Sequence, residues 1–229
     1  MPEGQSPEEY FGLNEIWGVS ADLSSQPEFK VIEETERHVV LINENGVTRR
    51  VLKRDDGSWS QRRAFVNVDF TVKDRKSWER YKERLLPSES RFSPNVKQLY
   101  DGQRSRGKFI VYTIPDPYEK AQGVIGQEAL LTKMVEDPDF IQDIFEAHVT
   151  LMIQMCQMLV GQGIVFDGAW VNGDIAYKNG LLFSPQAYRE ILMPSHKRLF
   201  DFFNAHDMPV VYHRDGGVRE AIPLLIEAG

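Results

Sequence analysis

A single cysteine, Cys156, in 229 residues leaves no partner for an intrachain disulfide, so no covalent cross-link holds the fold. That usage fits a reducing compartment, and a cytoplasmic location is expected. Positive charge is also in short supply: 27 Lys and Arg against 34 Asp and Glu leave a net charge of −7. Such a balance disfavours nucleic acid as a partner, because phosphate binding needs a basic surface. Long apolar runs are missing too. The longest, VTLMIQMCQMLV, contains Gln154 and Gln157 and falls short of the roughly 20 residues a membrane span needs. The opening MPEGQSPEEYFG is acidic and has no apolar stretch, unlike a secretory leader. What is present, 41% apolar and 27% charged residues, predicts a globular protein with a sizeable core.

The chain divides at about residue 72. Residues 1–28 are polar and weakly periodic, although Tyr10, Phe11 and Trp17 predict packing against something. From Phe29 to Val72 the pattern is that of strands. Val39–Ile42 and Val47–Leu52 flank Asn43-Glu44-Asn45-Gly46, a hairpin turn of residues that tolerate positive φ, and Ala64–Val72 alternates again. This predicts an N-terminal segment followed by an antiparallel β meander over 1–72, set apart from the remainder of the chain. Beyond it the period changes. Asp74 caps a short helix, RKSWERYKERL, and Lys108–Pro115 reads as a strong strand. Pro138 opens a long helix to about Val160, with a methionine-rich stripe that reads as core filling.

Residues 164–171 and 208–213 read as two further strands, each followed by a polar loop and a helix. Ser184 and Pro185 fit the N-cap and first position of one helix, and Pro194 should kink or split it. Repeated strand–loop–helix units predict an α/β fold, specifically part of a (β/α)8 barrel over residues 73–229. Only three or four parallel strands are legible, whereas a closed barrel takes about 250 residues. The expectation is therefore an incomplete barrel.

Three polar residues fall on equivalent strand-end loops: Asp174, His213 and Asp215. Strand ends are where barrel enzymes place their chemistry. Asp174, beside Gly173, reads as a general acid or base or as an anchor for N–H groups; the plain alternative is a loop or helix cap. His213 suits proton transfer, or is a histidine satisfied by loop carbonyls. His213 and Asp215 both suit zinc, but two ligands do not make a site. Asp215-Gly216-Gly217 reads either as an anion site at a helix N-terminus or as a turn with a cap. Tyr112 and Tyr177 either line a pocket or are core tyrosines. Arg104, Arg106 and Lys108 read as a solvated loop before they read as a carboxylate clamp. The catalytic set expected is Asp174, His213 and Asp215, with Tyr112, Tyr177, Ser184 and Gly216 contacting substrate.

A run of features extends this reading: Asp174, Tyr177-Lys178-Asn179-Gly180, Ser184-Pro185, Tyr188-Arg189-Glu190, Pro194 and Lys197-Arg198-Leu199. It continues through Asp215-Gly216 and Ile222-Pro223 to Glu227-Ala228-Gly229. In these the chain resembles the uroporphyrinogen decarboxylase superfamily. The resemblance implies a (β/α)8 barrel and two activities. One branch decarboxylates porphyrinogen side chains without a cofactor. The other moves methyl groups between corrinoid proteins and thiols, using zinc. The decarboxylase's arginine-rich N-terminal motif has no counterpart here. The methyltransferase's His-x-Cys is met by His213-Arg214-Asp215. The resemblance implies a tetrapyrrole-like substrate, with Asp174 holding its N–H groups, or a corrinoid-protein partner. Decarboxylation is the first expectation and methyl transfer the second. The third is a non-catalytic fragment that binds a tetrapyrrole or a corrinoid protein.

Overall fold

The computed structural model describes residues 10–12, 15–61 and 64–229; residues 1–9, most of the opening expected not to be a leader, lie outside that range. Four parallel strands carry the larger part of the chain. They are β1 (Ile16–Val19), β6 (Phe109–Pro115), β7 (Gly168–Asn172) and β10 (Val210–His213), hydrogen-bonded in the order β1-β6-β7-β10. Spatial order thus follows chain order, as in a barrel wall, but among the described residues the sheet does not close. Strand β6 is a near-continuous apolar run because both of its faces are in use. Ile110, Tyr112 and Ile114 are fully buried on the side of the helices. Strand β1 is not legible in the sequence: IWGV has one glycine and no clean alternation.

Strand β7 begins later than its apolar lead-in, Ile164–Phe166, suggests. The cause is Asp167. Its carboxylate accepts from the Ile110 amide at 2.7 Å and from Arg104 at 2.7 Å, taking the place of a ladder partner. The same pair, with Arg104 also donating to the Val165 carbonyl, gives Arg104 a structural role. Lys108 pairs with Glu15.

The meander is a separate antiparallel sheet of β2 (Lys30–Glu34), β3 (His38–Ile42), β4 (Val47–Leu52) and β5 (Phe65–Phe70). Its first turn forms as its residues dictate. The Asn43 side chain accepts from the amides of Asn45 and Val47, and Gly46 takes φ +73°. Val39, Leu41 and Val51 make a small core of their own under Trp59. Tyr10 and Phe11 are exposed and contact each other edge to face, contrary to the packing expected of them; Trp17 does reach the main core.

Helix α1 (Arg75–Lys82) starts at Asp74 through a reciprocal capping box with Ser77, and α2 (Val96–Arg104) precedes β6. Between β6 and β7 run α3 (Pro117–Ile125), α4 (Gln127–Glu136) and α5 (Pro138–Gly161). Helix α5 is long and apolar enough to cross a membrane, yet eleven of its residues are buried inside the fold. Cys156 is among them, and burial pushes its thiol up to about 12. After β7, a small hairpin of β8 (Ala176–Tyr177) and β9 (Gly180–Leu181) leads to α6 (Pro185–Ala187), capped by Ser184. A π-turn, Tyr188–Leu192, then runs into α7 (Met193–Asn204). Pro194 cannot donate to the carbonyl of Glu190, four residues back, and Gln142 on α5 donates to that oxygen instead at 2.7 Å. Helix α8 (Ala221–Ala228) packs on α7 after β10.

Arg91 fixes the loop after β1. Its buried guanidinium donates to the carbonyls of Asp22, Ser24, Arg84 and Leu86 at 2.6–2.9 Å. Arg91→Ala strands these acceptors, and urea unfolding should show a loss of about 3 kcal/mol. Arg91→Lys should recover less than half of it, since an ammonium cannot reproduce the planar fork.

Candidate active site at the strand ends

Parallel register brings the carboxyl ends of all four strands to one rim, where an open cleft of about 470 Å³ is formed. Ser20 enters from the end of β1, Thr113 and Pro115 from β6, Asn172 and Asp174 from β7, His213 and Asp215 from β10. Glu119, on the first turn of α3, is the remaining titratable group in the wall. Asp174, His213 and Asp215 are exposed and border this single cavity. The His213 ring stacks against Trp170 at 5.9 Å, and its carbonyl accepts from the Gly173 amide. Asn172 is held in place by Trp170 Nε1 and by the Ile114 carbonyl.

Glu119 is chemically the most distinctive of these groups. Burial first, then the neighbouring charges of Asp116 and Asp174, push its carboxyl up to about 7 against a smaller opposing pull from Lys120. A carboxyl that exchanges its proton near neutrality can act as donor or acceptor at working pH. Two grouped carboxyls with unlike surroundings are a recurring arrangement for acid–base work. Lys120 points the other way: burial lowers its ammonium to about 8, and it donates to Asn45 in the meander turn.

Glu119 is not among the residues expected from the sequence, although the signal is there. Pro115-Asp116-Pro117 ends a strong strand with an acid and opens a helix with proline, the same grammar read at Asp174 and Ser184-Pro185. An acid three residues past such a cap faces the strand end.

The four expected substrate contacts lie elsewhere. Tyr112 is fully buried on the helix side of β6, and its hydroxyl donates to the Met152 carbonyl at 3.1 Å. Tyr177 is exposed on the small hairpin, outside the cleft wall. Ser184 caps α6 and borders a different groove, with Pro138 and Gln142. Gly216, at φ +90°, lies flat against the Tyr177 carbonyl, where a side chain would not fit. The glycine loop is no free anion site either: the Gly217 amide donates to the Tyr177 carbonyl, and the helix starts four residues later. Zinc, which the resemblance implies, does not fit the donor set. No three His, Cys, Asp or Glu side chains converge to hold a metal among the described residues. A larger groove of about 580 Å³, lined by Phe70, Gly126 and Lys133, lies between the meander and α4, away from the strand ends.

No protein-family model matches the chain, and no curated protein does. Among solved structures, the fold is similar to that of a methyltransferase from Methanosarcina mazei, with a TM-score of 0.55 and 16% sequence identity. The likeness covers 73% of this chain and 48% of that one, so this chain spans about half the length of that neighbour. At this identity the likeness speaks for the fold: an α/β arrangement with a parallel sheet, compatible with part of a barrel.

Two outcomes check these assignments. Glu119 has its folded-state value raised from 4.5 to about 7, so the native state binds the extra proton between those values. Its contribution to stability therefore falls as pH rises through that window. Urea unfolding of Glu119→Gln should show less loss between pH 4.5 and 7, and greater stability than the parent at pH 8. Tyr112→Phe should cost about 1 kcal/mol and leave ligand binding at the cleft unchanged.

Proposed function

We propose that the chain carries the strand-end site of a methyl-transferring enzyme of the uroporphyrinogen decarboxylase superfamily. Glu119 carries this reading: a carboxyl poised near neutrality in an open cleft, beside Asp174 and across from His213. The fold's likeness to a methyltransferase supports the same direction. A thiol acceptor, with an ordinary pKa of about 8.5, must lose its proton to become a nucleophile. Glu119 takes up that proton. The thiolate sulfur then forms its bond to the methyl carbon, and the carbon–cobalt bond of a methylated corrinoid breaks with its electron pair left on the metal. His213 and Asp174 hold the acceptor over Glu119. No step is assigned to zinc, for want of a ligand set.

Decarboxylation is the second reading, favoured by one observation. Below pH 7 Glu119 holds a proton that it can deliver to the carbon from which carboxylate has left, and this chemistry needs no metal.

Methyl transfer from methylcobalamin to a small thiol, followed by the change in corrinoid absorbance, tests the first reading. Glu119→Gln should slow it about 100-fold, the usual worth of a positioned acid–base group. Asp174→Asn should have a smaller effect, of about 10-fold. An unchanged corrinoid spectrum together with carbon dioxide release from a porphyrinogen would select the second.

A further inference from the structure

Behind the cleft, on the helix side of the same strands, lies a polar cluster that neither reaction uses directly. Asp116, at the end of β6, is fully buried, as are His196 on α7 and Tyr188 in the π-turn. One Asp116 oxygen accepts from the Glu119 amide at 2.7 Å, capping α3. The other accepts from the Tyr212 hydroxyl at 2.5 Å and lies 3.3 Å from His196 Nε2. His196 Nδ1 is in turn 2.8 Å from the Tyr188 hydroxyl.

In either the Nε2–H or the doubly protonated form, His196 can donate to an ionised Asp116 at these distances. An ionised carboxylate only accepts, so His196 donates through Nε2–H. In the neutral ring Nδ1 then accepts a hydrogen bond from the Tyr188 hydroxyl. Three donors from three separate elements thus converge on one buried negative charge. A helix cap alone would need a single oxygen, and an exposed serine would serve. Gly173 adds a second geometric sign. Any Cβ there would collide with both Tyr212 Oη and the Asp116 carboxylate, so the end of β7 closes directly over the cluster. The next residue is Asp174.

We infer that Asp116, held by Tyr212 and by the His196–Tyr188 pair, is a positioning residue that sets the placement and charge state of Glu119 from behind the cleft. The inference rests on the reading of Glu119 as the proton-handling group. The cap fixes the first turn of α3, and so where Glu119 stands. The buried charge opposes a second negative charge on the same helix turn. Other groups face the pair as well. Asp174 and Lys120 act on Glu119, with His213 and Asp215 across the cleft, and the Tyr118 hydroxyl lies in the field of Asp116. Of these, Asp116 is the one bonded to the Glu119 backbone.

The test needs no substrate, so its failure is separable from failure of the methyl-transfer reading. Protein carrying 13C in its glutamate side-chain carboxyls is titrated by NMR, with Glu119→Gln assigning the signal. In Asp116→Asn the Glu119 midpoint should fall by about one pH unit. In Tyr212→Phe, which keeps the charge and removes one donor, it should not fall. A folded Asp116→Asn protein with an unchanged midpoint would overturn the inference. So would an equal fall in Tyr212→Phe, which would reduce the cluster to packing. Should Asp116→Asn not fold, Asp116→Ser, which keeps a cap acceptor for the Glu119 amide without the charge, takes its place with the same two outcomes.

Discussion

A carboxylate that gives up water must be met by donors, and Asp116 is where this fold meets that requirement. The acceptor stands at the end of β6, one donor comes from β10, one from α7 and one from the first turn of α3. Satisfying it fixes the relative heights of two strand ends and two helices. Gly173 brings the third strand, β7, against the same group. The rim on which Glu119, Asp174 and His213 stand therefore inherits its geometry from a polar contact beneath it. Apolar packing positions the layers, but it is non-directional and would not set such a register.

The same logic recurs where the chain departs from regular structure. Asp167 replaces a ladder partner and delays β7. Gln142 takes the place of the amide that Pro194 lacks. Arg91 gathers four carbonyls from loops that have no strand to pair with. In each case a backbone group left over by local sequence is satisfied by a side chain, for Asp167 and Gln142 one distant along the chain.

Periodicity makes the strands β3, β4, β6 and β10 and the helices α1 and α5 legible, since each is written in consecutive residues. The caps at Asp74 and Ser184 are legible for the same reason. Asp174, His213 and Asp215 can be placed on one rim because parallel strands with equivalent loops share an end. The place of Glu119 is written in Pro115-Asp116-Pro117, but its distinction is not: that comes from burial and from Asp116 and Asp174, one on its own helix turn and one more than fifty residues away. Tyr112 misleads in the opposite sense. The face on which an alternating residue lies depends on which side the helices cover, and β6 is apolar on both. His196 and Tyr188 read as ordinary members of an amphipathic helix, and their role depends on an acid 80 residues from the histidine.

Cys156 sits without solvent contact in the middle of α5, one turn on from the Met152 carbonyl that the Tyr112 hydroxyl of β6 reaches. A lone thiol so enclosed makes the chain its own probe of breathing. An alkylating reagent can reach it only when the packing around α5 opens, so the labelling rate under native conditions counts those openings. Because no second sulfhydryl competes, the mass gained by each molecule records a single event, opened or not, without any engineered label.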